Sequence, residues 1–337
     1  MSKRNFRRRL DRKDLSKALA VLSIIFLLIG VFGLLLSRWE NKQYRTEGGE
    51  STVDVDTVFS DAEEITVNGK TYVNNRRVRS YLIMGADSYG EPVSRTSGGQ
   101  ADTQVLVVID DANKTWRLLP IDRDTMVMMD IRDSEDNVIA MTKGQITLAH
   151  AYGTWETGAR YTSEVVSKLL GNQKINGYFS MNLDALPVLN DAVGGVTVTV
   201  TTDFTDVDDS LVLGEEITLN GEQAEHFVRS RMTVDDGTNQ ARMARQEAYL
   251  KGLIKAASKL DDSAILDLYD QLMNNSVTNL GSGDFLELTE LTKEYTQLDN
   301  IRIEGERTIN NGHIEFYPDD ESLQNAILEL FYTAKEN

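Results

Sequence analysis

Cysteine is absent from the 337 residues, which excludes disulfides, thiolate metal sites and a cysteine nucleophile. Histidine is scarce: His150, His226 and His313 are scattered along the chain and form no zinc-binding spacing. Glycine-rich phosphate loops of the Walker and GxGxxG kinds are missing. The nearest approach, SGGQAD at 97–102, is a weak glycine turn, so a nucleoside triphosphate is disfavoured as substrate. Basic charge is scarce too, outside one end of the chain. Residues 1–45 hold 11 basic and 3 acidic side chains, whereas the remainder holds 24 basic and 50 acidic. A body this acidic repels nucleic acid, which is not expected as a partner.

The basic end has a physical reason. The tail MSKRNFRRRLDRKDLSK precedes ALAVLSIIFLLIGVFGLLLS, an uncharged run at 18–37 long enough to span hydrocarbon as one helix. Lys and Arg on its N-terminal side would keep that end in the cytoplasm and put the rest outside. A cleaved signal peptide is the alternative, but the run is long for one and has no small-x-small cleavage site. The expectation is a single-pass cell-membrane protein: a cytoplasmic tail at 1–17, a signal-anchor transmembrane helix at 18–37, an extracellular spacer or small accessory region at 38–75, and a catalytic domain at 76–337. The length of that last part is enough for a sizeable core.

Along the domain, VRSYLIMGAD reads as a strand and TQVLVVID (103–110) as a strong one. DANK forms a hairpin turn, and TWRLLPI (115–121) is the returning strand. Residues 142–152 and 161–170 are expected to be helical, the second stopped by Gly171. A strand at 175–182, a short helix, a strand at 194–200, an acidic surface loop, and helices at 221–231 and 239–260 follow. In the last of these Ala241, Ala244, Ala248, Leu250 and Ile254 form the expected buried side. Two more helices, a strand pair NIRIEG and GHIEFYP, and a final helix from Asp319 close the chain. Helices and strands interleave throughout. The fold class is therefore α/β, a mixed central sheet layered between helices, preceded by the transmembrane helix.

Chemistry concentrates in two places. In LLPIDRDTMVMMD (118–130) an apolar strand ends in Asp122-Arg123-Asp124. The 103–121 hairpin can bring Arg123 beside Asp102 at the start of the neighbouring strand. The second place is a run of arginines: FVRSRM carries Arg229 and Arg231, and NQARMARQ carries Arg242 and Arg245 with Gln246. Arg242, Arg245 and Gln246 share a helix face by their spacing. Guanidinium forks suit the oxygens of a pyrophosphate, and the carboxylates Asp102 and Asp124 could hold a divalent cation or take a proton from an attacking hydroxyl. Ordinary surface ion pairs among Arg and the abundant Asp and Glu remain the bland alternative.

These segments, together with AYG at 151–153, INGYFSMNLDALPVLNDAVGGVTVTV, ITLNGEQAEHFVRSR and GHIEFYPDDESLQNAILELF, resemble in order and spacing the LytR-CpsA-Psr family of cell-wall assembly proteins. The likeness runs over about 78–330. It implies a magnesium-assisted phosphotransferase, mainly of Gram-positive bacteria. Such an enzyme moves a glycopolymer from a polyprenyl-pyrophosphate carrier to a peptidoglycan hydroxyl and makes a phosphodiester; membrane lipid is a further partner. An apolar tunnel would hold the lipid, with 105–108 and 178–181 as candidate walls, and Tyr152 and Trp155 as candidate caps. Residue by residue, the resemblance gives Asp102 to catalysis as the residue that holds the metal, Arg123 to catalysis through phosphate contact, and Asp124 either to catalysis or to bracing the arginines. Arg229, Arg231, Arg242 and Gln246 go to substrate binding, and Arg245 to a structural pairing. Three positions depart from the family pattern: Gln100 where arginine is usual, Asn239 where aspartate is usual, and the extra Asp122. A polyprenyl-pyrophosphate hydrolase and a catalytically weak lipid-binding scaffold are the competing readings.

Overall fold

The computed structural model describes residues 64–88, 98–133, 135–230, 234, 245, 248–249, 252–253, 255–256, 259–310 and 312–335. The strands are β1 (Glu64–Val67), β2 (Lys70–Asn74), β3 (Val78–Asp87), β4 (Gln100–Asp110), β5 (Thr115–Ile121), β6 (Met126–Arg132), β7 (Val138–Gln145), β8 (Gly177–Met181), β9 (Val196–Thr199), β10 (Glu216–Leu219), β11 (Ser276–Thr278), β12 (Thr296–Gln297), β13 (Gly305–Asn310), β14 (His313–Pro318) and β15 (Tyr332–Ala334). The helices are α1 (Leu148–Ala151), α2 (Trp155–Leu169), α3 (Ala185–Ala192), α4 (Gly221–Arg229), α5 (Asp262–Leu272), α6 (Ser282–Glu294) and α7 (Asp320–Phe331).

A six-stranded mixed sheet in the order β11-β8-β3-β4-β5-β12 forms the centre. The β3–β4 and β4–β5 pairs are antiparallel, while β3–β8 and β5–β12 are parallel. The period-two alternation of a strand explains the layers. Val105 and Val107 point to one side, into a core with Phe179, Leu189, Phe227 and Leu268 from β8, α3, α4 and α5. Leu106 and Val108 point to the other, into a core with Val166, Ile327 and Phe331 from α2 and α7. Both faces are covered, so β4 carries an unbroken apolar run rather than an alternating one. The stretch 105–108, a candidate tunnel wall, divides between these two cores.

Several expected elements shift. Residues 138–145 are strand, paired with β6 to make a separate two-stranded arm, and only Leu148–Ala151 of the expected 142–152 helix is helical. Helix α2 starts earlier than expected, because Thr154 and Thr157 form a reciprocal capping box. It ends before Gly171, whose φ of +66° takes the chain out of the helix. The C-terminal hairpin pairs GERTIN, not NIRIEG, with HIEFYP. Of the expected helix at 239–260, the described residues turn Tyr249, Leu253 and Ala256 inward; Ala241, Ala244, Leu250 and Ile254 lie outside them. Residues 64–74, within the expected spacer, form a hairpin whose second strand pairs with β15.

The expected tail at 1–17 and anchor at 18–37 lie outside the described residues. Among the described residues no helix is long and apolar enough to cross a membrane. The longest helix among the described residues, α2, has 15 residues and would reach only about 22 Å, short of a hydrocarbon core of roughly 30 Å. The fold is therefore corrected to α/β with a mixed central sheet and no membrane-spanning helix among the described residues. The signal-anchor reading and the single-pass topology at the cell membrane find no support in the structure.

Candidate functional site

The antiparallel register sets Gln104 opposite Ile121, so the start of β4 and the residues after β5 meet at one end of the sheet. There the Arg123 guanidinium ion-pairs with Asp102 through Nη1. It donates from Nη2 to Gln100 Oε1 at 3.1 Å, and its Nε lies 3.5 Å from Asp124 Oδ1. Three groups thus fix one guanidinium, whose side chain keeps 18% of its exposure. Gln100, one of the departures from the family pattern, acts here as an acceptor; an arginine at that position has no acceptor atom.

Asp124 is buried and braced. Gln145, at the end of β7, donates from Nε2 to Asp124 Oδ1 at 2.9 Å and to Ile314 O at 2.7 Å. The backbone N–H of Phe316 donates to Asp124 O at 2.8 Å. Burial raises the Asp124 carboxyl above its ordinary value, and the charge of Asp122 raises it further; Arg123 and Arg307 pull the other way.

The extra Asp122 has a partner the sequence did not reveal. Arg307, on β13, ion-pairs with Asp122 and reaches within 3.9 Å of Asp124 Oδ2. Its guanidinium carbon sits 5.0 Å from the centroid of the Phe316 ring. Asp122 Oδ1 also accepts from the Asp124 backbone N–H at 2.9 Å, closing the turn that presents Arg123. The excess carboxylate is therefore matched by a cation from the C-terminal hairpin.

Arg229, at the end of α4, is half-buried and ion-pairs with Glu225 one turn back. Burial lowers its pKa, and the charge of Asp87 opposes this. Asp87 ends β3 directly across from Gln100, so Arg229 feels a charge at the same sheet end that carries Arg123. Arg245 is buried. It donates from Nε to Phe227 O at 3.1 Å and from Nη2 to Ser230 O, and lies over the Phe204 ring. Its task is to tie its own segment to the end of α4. Arg231, Arg242, Gln246 and Asn239 lie outside the described residues. Trp155 is 1% exposed, a core residue rather than a cap, whereas Tyr152 is 45% exposed.

The fold and site define an α/β protein in which one guanidinium is clamped among carboxylates at the end of a mixed sheet. The LytR_cpsA_psr family model matches residues 43–331. The chain belongs to the LytR-CpsA-Psr family of cell-wall glycopolymer ligases, and at family level it is a transferase. It is 24% identical over 318 residues to the polyisoprenyl-teichoic acid–peptidoglycan teichoic acid transferase TagU of Enterococcus faecalis, covering 94% of this chain and 98% of that one. It is 29% identical over 256 residues to TagV of Bacillus subtilis, covering 73% of this chain and 62% of the relative. Among solved structures, B. subtilis TagV is similar with a TM-score of 0.53 and 27% identity, covering 76% of this chain and 96% of that one. TagT bound to LIIa-WTA is similar with a TM-score of 0.51 and 25% identity, covering 76% and 90%.

Proposed function

We propose that the protein transfers a glycopolymer from a polyprenyl-pyrophosphate carrier to a hydroxyl of peptidoglycan, forming a phosphodiester. The observation that carries this reading is Arg123, fixed by Asp102, Asp124 and Gln100 at an accessible sheet end, in a chain whose relatives are teichoic acid transferases by name. The acceptor oxygen attacks the phosphorus next to the glycopolymer. The bond from that phosphorus to the bridging oxygen breaks, and polyprenyl phosphate leaves with the electron pair. Arg123 offsets the charge that builds on the phosphoryl oxygens, and Arg229 adds a second guanidinium. Arg231, Arg242 and Gln246 are the further candidates for holding phosphate. Asp124, made more basic by burial, is the candidate to take the hydroxyl proton.

Magnesium fits this site only in company with substrate. Among the described residues no group of three or more acidic or imidazole side chains could hold an ion. Asp102 offers one carboxylate, with the Thr147 hydroxyl 3.5 Å from its Oδ1. Magnesium commonly takes one or two carboxylates and fills its shell with phosphate oxygens and water. Bound there, it would neutralise part of the pyrophosphate charge.

The test is transfer from a synthetic polyprenyl-pyrophosphate-linked saccharide to a peptidoglycan fragment. Arg123→Ala should lower the rate by roughly 10²–10³-fold, the usual effect of removing a group that stabilises transition-state charge. Unchanged transfer in that variant would remove the catalytic reading and leave a scaffold. Release of polyprenyl phosphate without coupling to the acceptor would make the protein a hydrolase.

A further inference from the structure

The segment 98–102 delivers both Gln100 and Asp102 to Arg123, and it is laced along its length to residues 147–153. The Gly98 N–H donates to Gly153 O at 3.0 Å, and the Ala101 N–H donates to Thr147 O at 3.2 Å. The Thr147 hydroxyl donates to Ala101 O at 3.0 Å and sits near the Asp102 carboxylate. The Thr147 N–H donates to Arg123 O at 3.2 Å, so one residue touches both sides of the ion pair. Between these contacts lies His150, fully buried. Its Nδ1 is 3.2 Å from Gly99 O and its Nε2 is 2.9 Å from Ser180 Oγ.

A carbonyl can only accept, so Nδ1 carries the hydrogen and donates to Gly99 O. The other nitrogen then accepts from the Ser180 hydroxyl on β8. The ring also meets Trp155 edge-on, with centroids 5.4 Å apart. The backbones here are pressed together. A Cβ on Gly98 would lie 2.4 Å from His150 O, and one on Gly158 would lie 2.1 Å from the same atom. Glycine is required at both places by the closeness of that approach.

We propose that residues 147–153 form a clasp that holds 98–102 in register with Arg123, and that His150 is its positioning residue, anchoring Gly99 to the central sheet through Ser180. The proposal rests on the transferase reading only for what the clasp serves; the clasp itself is a matter of hydrogen bonds. His150→Phe fills the space but removes both bonds. His150→Asn keeps a donor where Nδ1 stood, and His150→Gln keeps an amide where Nε2 stood, whose oxygen can accept from Ser180.

Two measurements on the full chain test it. In the transfer assay, kcat should fall about 10–100-fold in His150→Phe and His150→Gln, as expected for a displaced reacting group, with KM within about twofold. His150→Asn should retain kcat within about threefold while melting at a lower temperature than wild type, because packing against Trp155 is lost. A purely structural residue would instead make kcat of the folded enzyme indifferent to which nitrogen is kept. The second measurement is amide exchange. Gly98 and Ala101 should exchange faster in His150→Phe and His150→Gln than in His150→Asn. Equal exchange in all variants overturns the clasp, whether or not the wild type transfers polymer. Absence of transfer in wild type with the expected exchange pattern overturns the function and leaves the clasp standing. If His150→Phe does not fold, Ser180→Ala replaces it: faster exchange at Gly98 and Ala101 than in wild type supports the anchor, and unchanged exchange overturns it.

Discussion

A guanidinium that is to meet phosphate has to be kept from swinging into solvent, and at Arg123 this falls to side chains that are themselves held. Asp102 rests against the Thr147 hydroxyl, Asp124 is fixed by Gln145, and Asp122 is fixed by Arg307. The buried histidine behind them also leaves a mark on stability. Burial pushes the His150 imidazole down to about 4 from an ordinary 6.5. In the unfolded chain it protonates as pH falls through about 6.5, while in the fold it stays neutral until about pH 4. The unfolded state therefore binds more protons in that window, and stability falls as pH falls through it, by up to about 3 kcal/mol. Asp124 works in the opposite direction, since its raised pKa lets the folded state take a proton first. Denaturant unfolding between pH 7 and pH 4 should show a decline in wild type that is shallower in His150→Phe. Parallel curves for the two proteins would mean that His150 is not held neutral.

At the scale of elements, legibility followed periodicity. The β4–β5 hairpin is readable because two apolar runs flank the polar turn DANK, and a hairpin there can bring Asp102 near Arg123, as the structure shows. The β6–β7 arm was not readable. VIAMTKGQ does not alternate, and all of Val138, Ile139, Ala140 and Met141 are exposed, so no buried face marks it as a strand. Helix α1 has four residues, too few to show a period, and so the clasp stayed hidden inside a longer expected helix. Arg307 meets Asp122 across 185 positions, a distance no local pattern spans. The arm is anchored by Val127 and Met129 of β6, which are buried in the core, and its outer part is tied down by charge. Arg132 pairs with Asp130 and Glu164 at 3.3 and 3.1 Å, Lys168 with Asp130 at 2.9 Å, and Tyr161 donates to Asp136 at 2.6 Å. Such partly exposed pairs contribute little singly and matter as a network. Arg132→Ala should therefore loosen the arm locally, speeding amide exchange in β6 and β7 about fivefold while barely moving the global melting temperature. Exchange that stays at the wild-type rate would show that backbone pairing alone holds the arm.

Across the whole molecule, the two ends of the described chain are joined. Strand β2 lies between β1 and β15, so a hairpin from the start of the fold closes over the strand that follows α7. Ile65 and Val67 are 6% and 8% exposed and belong to the same core as Ile327, Leu328 and Phe331. The polar, acidic composition of 38–75 suggests a spacer or small accessory region, because four residues of strand carry too few apolar positions to stand out from such a background. The core gains from β1 what the sequence pattern could not announce: two aliphatic side chains and a pairing edge for β2. Burying each aliphatic side chain stabilises by about 1.5–3 kcal/mol, an upper figure because unfolded chains already bury some of that surface. A chain beginning at residue 76 loses β1 and β2 and leaves β15 without its partner. Compared with a chain beginning at residue 60, it should be less stable by roughly 3–6 kcal/mol and melt several degrees lower. Equal melting temperatures would mean that the terminal sheet is an ornament on a core complete without it.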